Sequence, residues 1–492
     1  MGSKILVGPL LGLESEQLYT ICFSTDKSVT QAQVSLNGDS VNAVMAGATN
    51  SSLFWRAEHS QPPQANATRV YYHINLDGTQ AVNGHDQTDW SFYVPAANEK
   101  PRFAYASCNG FSSADLVNKT EHPYALWETM KASHEQEPFS LLLMGGDQLY
   151  ADEMWGSVSS LKAWGKLSRS KKEAKSTAFT KAMEQQVERF YDELYRTRWS
   201  DPNMALMYAS IPSVMMWDDH DIFDGWGSYP KKMHECNVFQ GIFNIAKKYF
   251  ELFQIRSKHN TSLLNPAANH YAFGFSFRGY HILAMDNRAE RTLDQVMSPT
   301  QWSDLIQYFD TRANSGHLLL LSAVPVVYRD FSLTESVMDI TPWEEELTDD
   351  LKDHWRAKEH QCERARLIMR LLDNHKKRGG KTVILSGDVH IGCLGVINDR
   401  RDGGHRIHQI VSSGIVHPAP SRIAWLGIMA VTNDKKEYMT EDHSIEISML
   451  QPYHSDKYLR SRNFVQLKEG SDSKLWVTWE CESKDKPVYP MS

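Results

Sequence analysis

Between residues 103 and 390, four short apolar runs each end, within three positions, in side chains able to hold a metal ion. Phe103 to Ser107 runs into Cys108 and Asn109. Leu141 to Met144 runs into Gly145, Gly146 and Asp147, with Tyr150 following. Val214 to Trp217 runs into Asp218, Asp219, His220 and Asp221, then Asp224. Val383 to Ser386 runs into Gly387, Asp388, Val389 and His390. Unbroken apolar runs of this length fit strands buried on both faces. Ligands of open α/β sheets bind in the crevice at the carboxyl ends of such strands. The pattern therefore predicts a layered α/β fold with all four polar ends at the same edge of one sheet.

Read singly, each end has a plain alternative. A cysteine after a strand is most often a small buried hydrophobe. Asp147 fits a helix N-cap with Tyr150 packed nearby. The acidic run at 218–224 fits a solvated turn, and Asp388 with His390 fits a structural one. Together they offer thiolate, phenolate, carboxylate and imidazole in one place. Thiolate and imidazole suit a transition metal, whereas carboxylates suit Ca²⁺, Mg²⁺ or Mn²⁺. Clustered carboxylates also repel one another unless a cation supplies the counter-charge. A mixed set sharing Asp147 implies two adjacent metals of different character, a common arrangement for hydrolysing phosphate esters.

The rest of the chain supports the layered reading. After Pro101, strand-like runs at His281–Met285, Leu318–Ser322 and Ile407–Val411 alternate with helical patterns. Ser298-Pro299 opens one helix, and Gly379-Gly380 can close another that spans Glu363 to Lys376. Residues 151–200 read as an insertion carrying a long amphipathic helix, Phe179 to Arg196. Residues 1–98 have another texture. Short runs at Leu18–Ser24, Gln31–Leu36, Ser52–Ala57, Thr68–Leu76 and Trp90–Val94 are separated by turn formers such as Asn37-Gly38-Asp39. That spacing predicts a small all-β sandwich of immunoglobulin or fibronectin type. The domain expectation is a β-sandwich over 1–98 and a catalytic domain over 99–492.

Taken in order, ASCNG (106–110), GGDQLYADE (145–153), YRTRW (195–199), WDDHDIFDGWG (217–227), MDNRAER (285–291) and SGDVHIG (386–392) resemble the PhoD-like alkaline phosphatases and phosphodiesterases of the calcineurin-like metallophosphatase superfamily. The resemblance implies a metallophosphatase-type β-sheet sandwich flanked by helices. It implies Fe³⁺ held by Cys108, Asp147, Tyr150 and His390, with Asp147 bridging to a second, harder metal such as Ca²⁺ on Asp219 and Asp388. His220 stands where the superfamily's phosphate-contacting histidine protonates the leaving oxygen, and Arg288 and Arg291 match a phosphate-binding motif. Asp224 and Asn109 are further candidate ligands. The opening Ser-Cys-Asn and the closing Gly-Asp-Val-His depart from the wider superfamily's pattern, so Zn²⁺, Mn²⁺ and Mg²⁺ remain alternatives. The implied reaction is hydrolysis of a small-molecule or lipid-derived phosphate ester by a metal-activated hydroxide. Diesterase or phospholipase-D-like activity is the enzymatic rival, and a catalytically silent metal-binding interaction protein is the rival of another class.

Composition sets the remaining bounds. The 52 basic and 60 acidic residues give a net charge of −8, which excludes a dedicated nucleic-acid binder built on a basic patch. Six scattered cysteines form no short-spaced framework, which fits a reducing compartment. The opening ILVGPLLGL is broken by Gly8 and Pro9 and followed at once by Glu14 and Glu16, so no signal peptide is expected and the protein is expected in the cytoplasm. The longest apolar run, Leu318 to Tyr328, contains Pro325 and is too short to span a membrane. His405, His408 and His417 flank the last of the runs, and the commoner structural role is expected of them.

Overall fold

A computed structural model describes residues 4–330 and 355–492. Four strands of the first sheet lie side by side and parallel: β1 (Ile5–Leu13), β2 (Arg102–Ala106), β3 (Leu141–Gly145) and β4 (Ser213–Met216), in the order β2-β3-β4-β1. Antiparallel strands Asn463–Glu469, Leu475–Cys481 and Val488–Met491 extend it beyond β2. Leu18–Asp26, Ser52–Ser60 and Val44–Ala48 extend it beyond β1, giving ten strands among the described residues. The second sheet is built on parallel β5 (Tyr280–Ala284), β6 (His317–Leu321), β7 (Thr382–Ser386) and β8 (His405–Val411).

Residue alternation explains how the sheets stack. Ile282, Ala284, Leu319, Leu321, Val383 and Leu385 join one apolar cluster with β2, β3 and β4. Their neighbours Leu283, Leu318, Leu320 and Ile384 join a second cluster with Trp302, Leu305, Leu367, Ile368 and Leu371. Successive strand side chains point to opposite faces. One face of the second sheet therefore lies on the first sheet, and the other is covered by helices Pro299–Thr311 and Gln361–Arg378. Phe103 of β2 meets Tyr280 of β5 edge-on at 5.0 Å, and Trp479 Nε1 donates to the Val411 carbonyl across the same interface. Full burial of each such aliphatic side chain contributes about 1.5–3 kcal/mol.

Residues before 98 are built of strands in two sheets. Ala32–Leu36, Asp39–Asn42, Thr68–Leu76, Thr79–Gln80 and Asp89–Val94 form a small sheet of their own. It packs through Phe92 onto Tyr19 of the large sheet, with Tyr72 beside Phe92. The expected boundary at residue 98 does not coincide with a break in that sheet, because β1 pairs with β4 at Gly12 and Ser213. Gly8 and Pro9 do not end β1. They fall where its register with Leu18–Asp26 shifts, and Gly8 takes φ +108°. A bulge is a place where a strand tolerates both residues.

Candidate active site

The four polar ends converge, but not from one sheet. β2, β3 and β4 are neighbours in the first sheet, whereas the Gly387–His390 loop leaves β7 of the second. This corrects the single-edge expectation: the site lies where the carboxyl ends of two stacked sheets meet. A run of buried apolar residues looks the same in either layer, so the sequence pattern did not separate them.

Glycines permit the approach. A Cβ on Gly145 would lie 2.0 Å from the Tyr105 hydroxyl, and one on Gly146 would lie 2.9 Å from Asp218 Cβ. A Cβ on Gly387 would lie 2.4 Å from Ser107 Oγ and 2.5 Å from Ser107 Cβ, so that glycine sets the spacing between the sheets at the site. The loops after β2 and β3 run together, with Cys108 N donating to Gly146 O at 3.1 Å and Asn109 N to Asp147 O at 2.7 Å.

Cys108, Asp147, Asp388 and His390 all have positive φ, between +51° and +70°. Non-glycine residues rarely adopt that conformation, and it costs on the order of 1–3 kcal/mol each. Four predicted ligands held this way is the backbone signature of a site whose geometry outranks local comfort.

The side chains form three overlapping groups. Donor atoms of Cys108, Asp147 and His390 lie within 4.8 Å of one another. So do those of Asp147, Asp219 and His220, and those of Asp218, Asp219 and Asp388. Asp147 belongs to the first two groups and Asp219 to the last two. Tyr150 Oη lies 3.1 Å from His390 Nε2 and 3.4 Å from Asp147 Oδ2. The predicted ligands Cys108, Asp147, Tyr150, Asp219, Asp388 and His390 are thus brought together, with His220 beside them.

Burial dominates the electrostatics. It pushes the Cys108 thiol, the Asp147 carboxyl and the Tyr150 phenol well above their usual ranges, with neighbouring acids adding to each shift. It lowers His390, and His417 and His220 lower it further. Asp147 Oδ1 is buried and has no hydrogen-bond partner. An acidic pocket that resists carrying its own negative charge, with an unpartnered carboxylate oxygen inside it, fits a bound cation.

His220 behaves differently. Burial disfavours its charge, but the carboxylates of Asp152, Asp219 and Asp147 outweigh burial and raise it well above the usual histidine range. Its Nδ1 lies 2.7 Å from Asp152 Oδ2, and Asp152 Oδ1 accepts the Asp224 N–H, also at 2.7 Å. Asp224 meets this pair through its backbone N–H. Asn109 points away, with Oδ1 accepting from Trp127 Nε1 and Nδ2 facing Met204 and Tyr208. Asp221 braces the turn by accepting the N–H groups of Gln148, Leu149 and Asp218.

The two arginines are both buried. Arg288 is fully buried, with Nε on Asp218, Nη2 3.4 Å from Asp219 Oδ1 and Nη1 on the Trp226 carbonyl. Its guanidinium therefore holds the carboxylates of Asp218 and Asp219. Arg291 is buried with its stem against Gly227. Three further residues, none of them assigned a site role from the sequence, join the cluster. Asp152 lies within GGDQLYADE, and Asp218 opens the acidic run. His417 stacks on His390 with ring centroids 3.7 Å apart and on Tyr150 at 5.2 Å, and its Nε2 lies 3.1 Å from Ser112 Oγ. Only the first two carried a sequence signal.

Two stacked sheets with carboxylate, imidazole and thiol donors on the loops at their carboxyl ends define a metallophosphatase-type fold. Within that class, the chain belongs to the PhoD related phosphatase family, whose model matches residues 77–343 and 340–446. It is 28% identical over 396 residues to the uncharacterized protein YGR266W of Saccharomyces cerevisiae. That match covers 68% of this chain and 55% of the yeast protein, so the chain spans about half the length of that relative. The fold is shared with the solved structure of PhoD, at TM-score 0.61 and 15% identity over 99% of this chain and 89% of that one. It is also shared with the purple acid phosphatase PPD1 from yellow lupin (Lupinus luteus) seeds, at TM-score 0.51 and 11% identity over 98% and 74%.

Proposed function

We propose that this protein is a metal-dependent phosphoesterase, with residues 99–492 carrying the catalytic centre and a small-molecule or lipid-derived phosphate ester as substrate. The observation that carries this reading is the chain of overlapping donor groups linked by Asp147 and Asp219, set beside the Asp152–His220 pair. Cys108, Asp147, Tyr150 and His390 would hold one ion, a transition metal by its thiolate and imidazole donors and iron by the resemblance to PhoD-like phosphatases. Asp147, Asp218, Asp219 and Asp388 would hold another, calcium by preference for oxygen donors. Bound there, the ions would supply Lewis-acid polarisation of the phosphoryl group and lower the pKa of a nearby water.

The chain's own residues do the rest. Arg288 fixes Asp218 and Asp219 in place. Asp152 orients His220 and helps keep it protonated, so its other ring nitrogen can deliver a proton to the departing alkoxide. Such acid assistance is worth roughly 10²–10⁴-fold. The six cysteines are all free, which supports a reducing compartment such as the cytoplasm.

The test is Asp147→Asn. Metal analysis by mass spectrometry should show loss of bound ions, and hydrolysis of aryl phosphate monoesters and diesters should fall about 10²–10³-fold, the scale on which losing a principal electrostatic contributor acts. A variant with wild-type metal content and full activity would overturn the assignment. The ratio of monoester to diester turnover by the wild type separates the two substrate classes, and the metals recovered separate iron and calcium from zinc, manganese and magnesium.

A further inference from the structure

Helix Arg422–Val431 turns an apolar face to solvent. Ile423 is 84% exposed and Leu426 65%, and Ala424, Gly427 and Ala430 are exposed with them, whereas Met429, one turn beyond Trp425, lies on the inner side and lines a cavity with it. Isolated surface hydrophobes are ordinary, whereas a contiguous exposed patch of this kind marks an interaction surface. The helix is not loosely attached. On its opposite side Trp425 is buried against Tyr458, at 5.3 Å between rings, with the Arg329 guanidinium 5.8 Å from the Trp425 ring. Arg329 also donates to Thr432 Oγ1 at 2.7 Å and to the Thr432 carbonyl at 3.1 Å, just past the helix end. Ser421 caps the other end by accepting the Ala424 N–H. A helix anchored at both ends and along its inner side holds Ile423 and Leu426 outward by construction.

Charge decides what this face meets. Residues 417–436 contain Arg422, Lys435 and Lys436 against one carboxylate, Asp434, within a chain of net charge −8. Arg422 and Lys435 are exposed, and Lys436 is exposed but pairs with Glu446 at 3.0 Å. An apolar helical face bordered by cations is the pattern of a segment lying in a lipid–water interface, with its apolar side chains in the headgroup and acyl boundary. At about 15 Å, the ten-residue helix is long enough to lie in that plane and too short to cross a bilayer. No described helix is long and apolar enough to span one.

We propose that this helix docks the protein on an anionic membrane surface, with Ile423 and Leu426 inserted and Arg422 and Lys435 at headgroup level. The position relates docking to the candidate site. Only Pro418, Ala419 and Pro420 separate His417, stacked on His390, from the capping Ser421, and Arg460 ties that linker through the Pro420 carbonyl. The inference does not depend on the catalytic reading, since binding is measured without turnover.

The full chain is centrifuged with vesicles of phosphatidylcholine alone and of phosphatidylcholine with about one third phosphatidylserine. The wild type should pellet with the anionic vesicles and less with the neutral ones, and added salt should release it. Ile423→Ser combined with Leu426→Ser should lower the partition coefficient at least about tenfold, given the methylene groups withdrawn from the interface. Hydrolysis of a soluble aryl phosphate should stay at the wild-type rate, which reports an intact fold. In a Cys362→Ser background, Leu426→Cys carrying a polarity-sensitive dye should brighten and shift blue on anionic vesicles. Failure of the wild type to bind anionic vesicles, or undiminished binding by the double variant, overturns the proposal. A wild-type dimer in sedimentation equilibrium that the double variant abolishes, without vesicle binding, would make the patch a self-association face and would overturn it equally.

Discussion

Asp152 illustrates how one carboxylate sets the chemistry of another side chain. Its two oxygens hold His220 Nδ1 and the Asp224 N–H, so it fixes both the ring and the turn that follows. The raised pKa of His220 works against burial and depends first on Asp152. Asp152→Asn removes the charge and keeps the shape. The pKa of His220 should then fall, and the protonated fraction should disappear at lower pH than in the wild type. If His220 acts as the proton donor, the loss of kcat on the alkaline side of the pH profile should move to lower pH. The rate at neutral pH should drop about 10²-fold or more, the low end of what acid assistance contributes. Metal content should be unchanged, because Asp152 belongs to none of the three donor groups. An unshifted alkaline limb would assign the proton to another group.

At the scale of the element, the turn after β7 carries the coupling between sheets. Gly387 sits against Ser107 with no room for a methyl group, and Ser107 bridges to Gly414 while Gly387 N donates to the Ala323 carbonyl. Gly387→Ala should push the Asp388–His390 loop away from Cys108. Overpacking of this kind costs roughly 1–3 kcal/mol, so the chain should still fold with a lowered melting temperature. Metal content should fall more steeply than stability, because ligand placement tolerates less displacement than folding does. Calorimetry read beside metal analysis checks this, and a destabilised variant with full metal content would refute it. The sequence disclosed the strands leading into the site nearly residue for residue, since a doubly buried strand is an apolar run and little else. It disclosed the residues that cluster at the candidate site because each follows its strand directly. It could not disclose which sheet β7 joins, because pairing partners leave no mark on a uniformly apolar run. His417 was hidden for another reason. It lies in a loop beyond β8 with no companion motif, and only the fold stacks it on His390. β1 was hidden by Gly8 and Pro9, which break a strand pattern unless a bulge accommodates them.

At the scale of the whole molecule, the large sheet joins the N-terminal strands to the catalytic layers, and buried polar contacts secure the seam. Arg256 donates to the Leu11 carbonyl at 3.1 Å and to Ser213 O and Oγ at 2.7 and 2.6 Å, so one guanidinium clasps β1 to β4. Glu14 takes a buried ion pair from Arg56 at 2.5 Å and the Thr261 N–H at 2.8 Å. Arg278 reaches Glu16 and the carbonyls of Pro95 and Ala96. Removing residues 1–98 would take from Arg278 its partners Glu16, Pro95 and Ala96 and from Arg256 the Leu11 carbonyl, leaving it only Ser213, at roughly 1–3 kcal/mol for each unsatisfied group and more for charged ones. It would also strip the apolar cover that Leu10, Leu11, Tyr19 and Ile21 give to the shared core. Those losses together reach the whole stability of an ordinary domain, about 5–15 kcal/mol. A fragment of residues 99–492 should therefore be recovered aggregated or without a cooperative thermal transition, whereas the full chain unfolds cooperatively. A soluble fragment melting within a few degrees of the full chain would show instead that the catalytic layers stand alone and that the β1–β4 seam is only a contact between independent units.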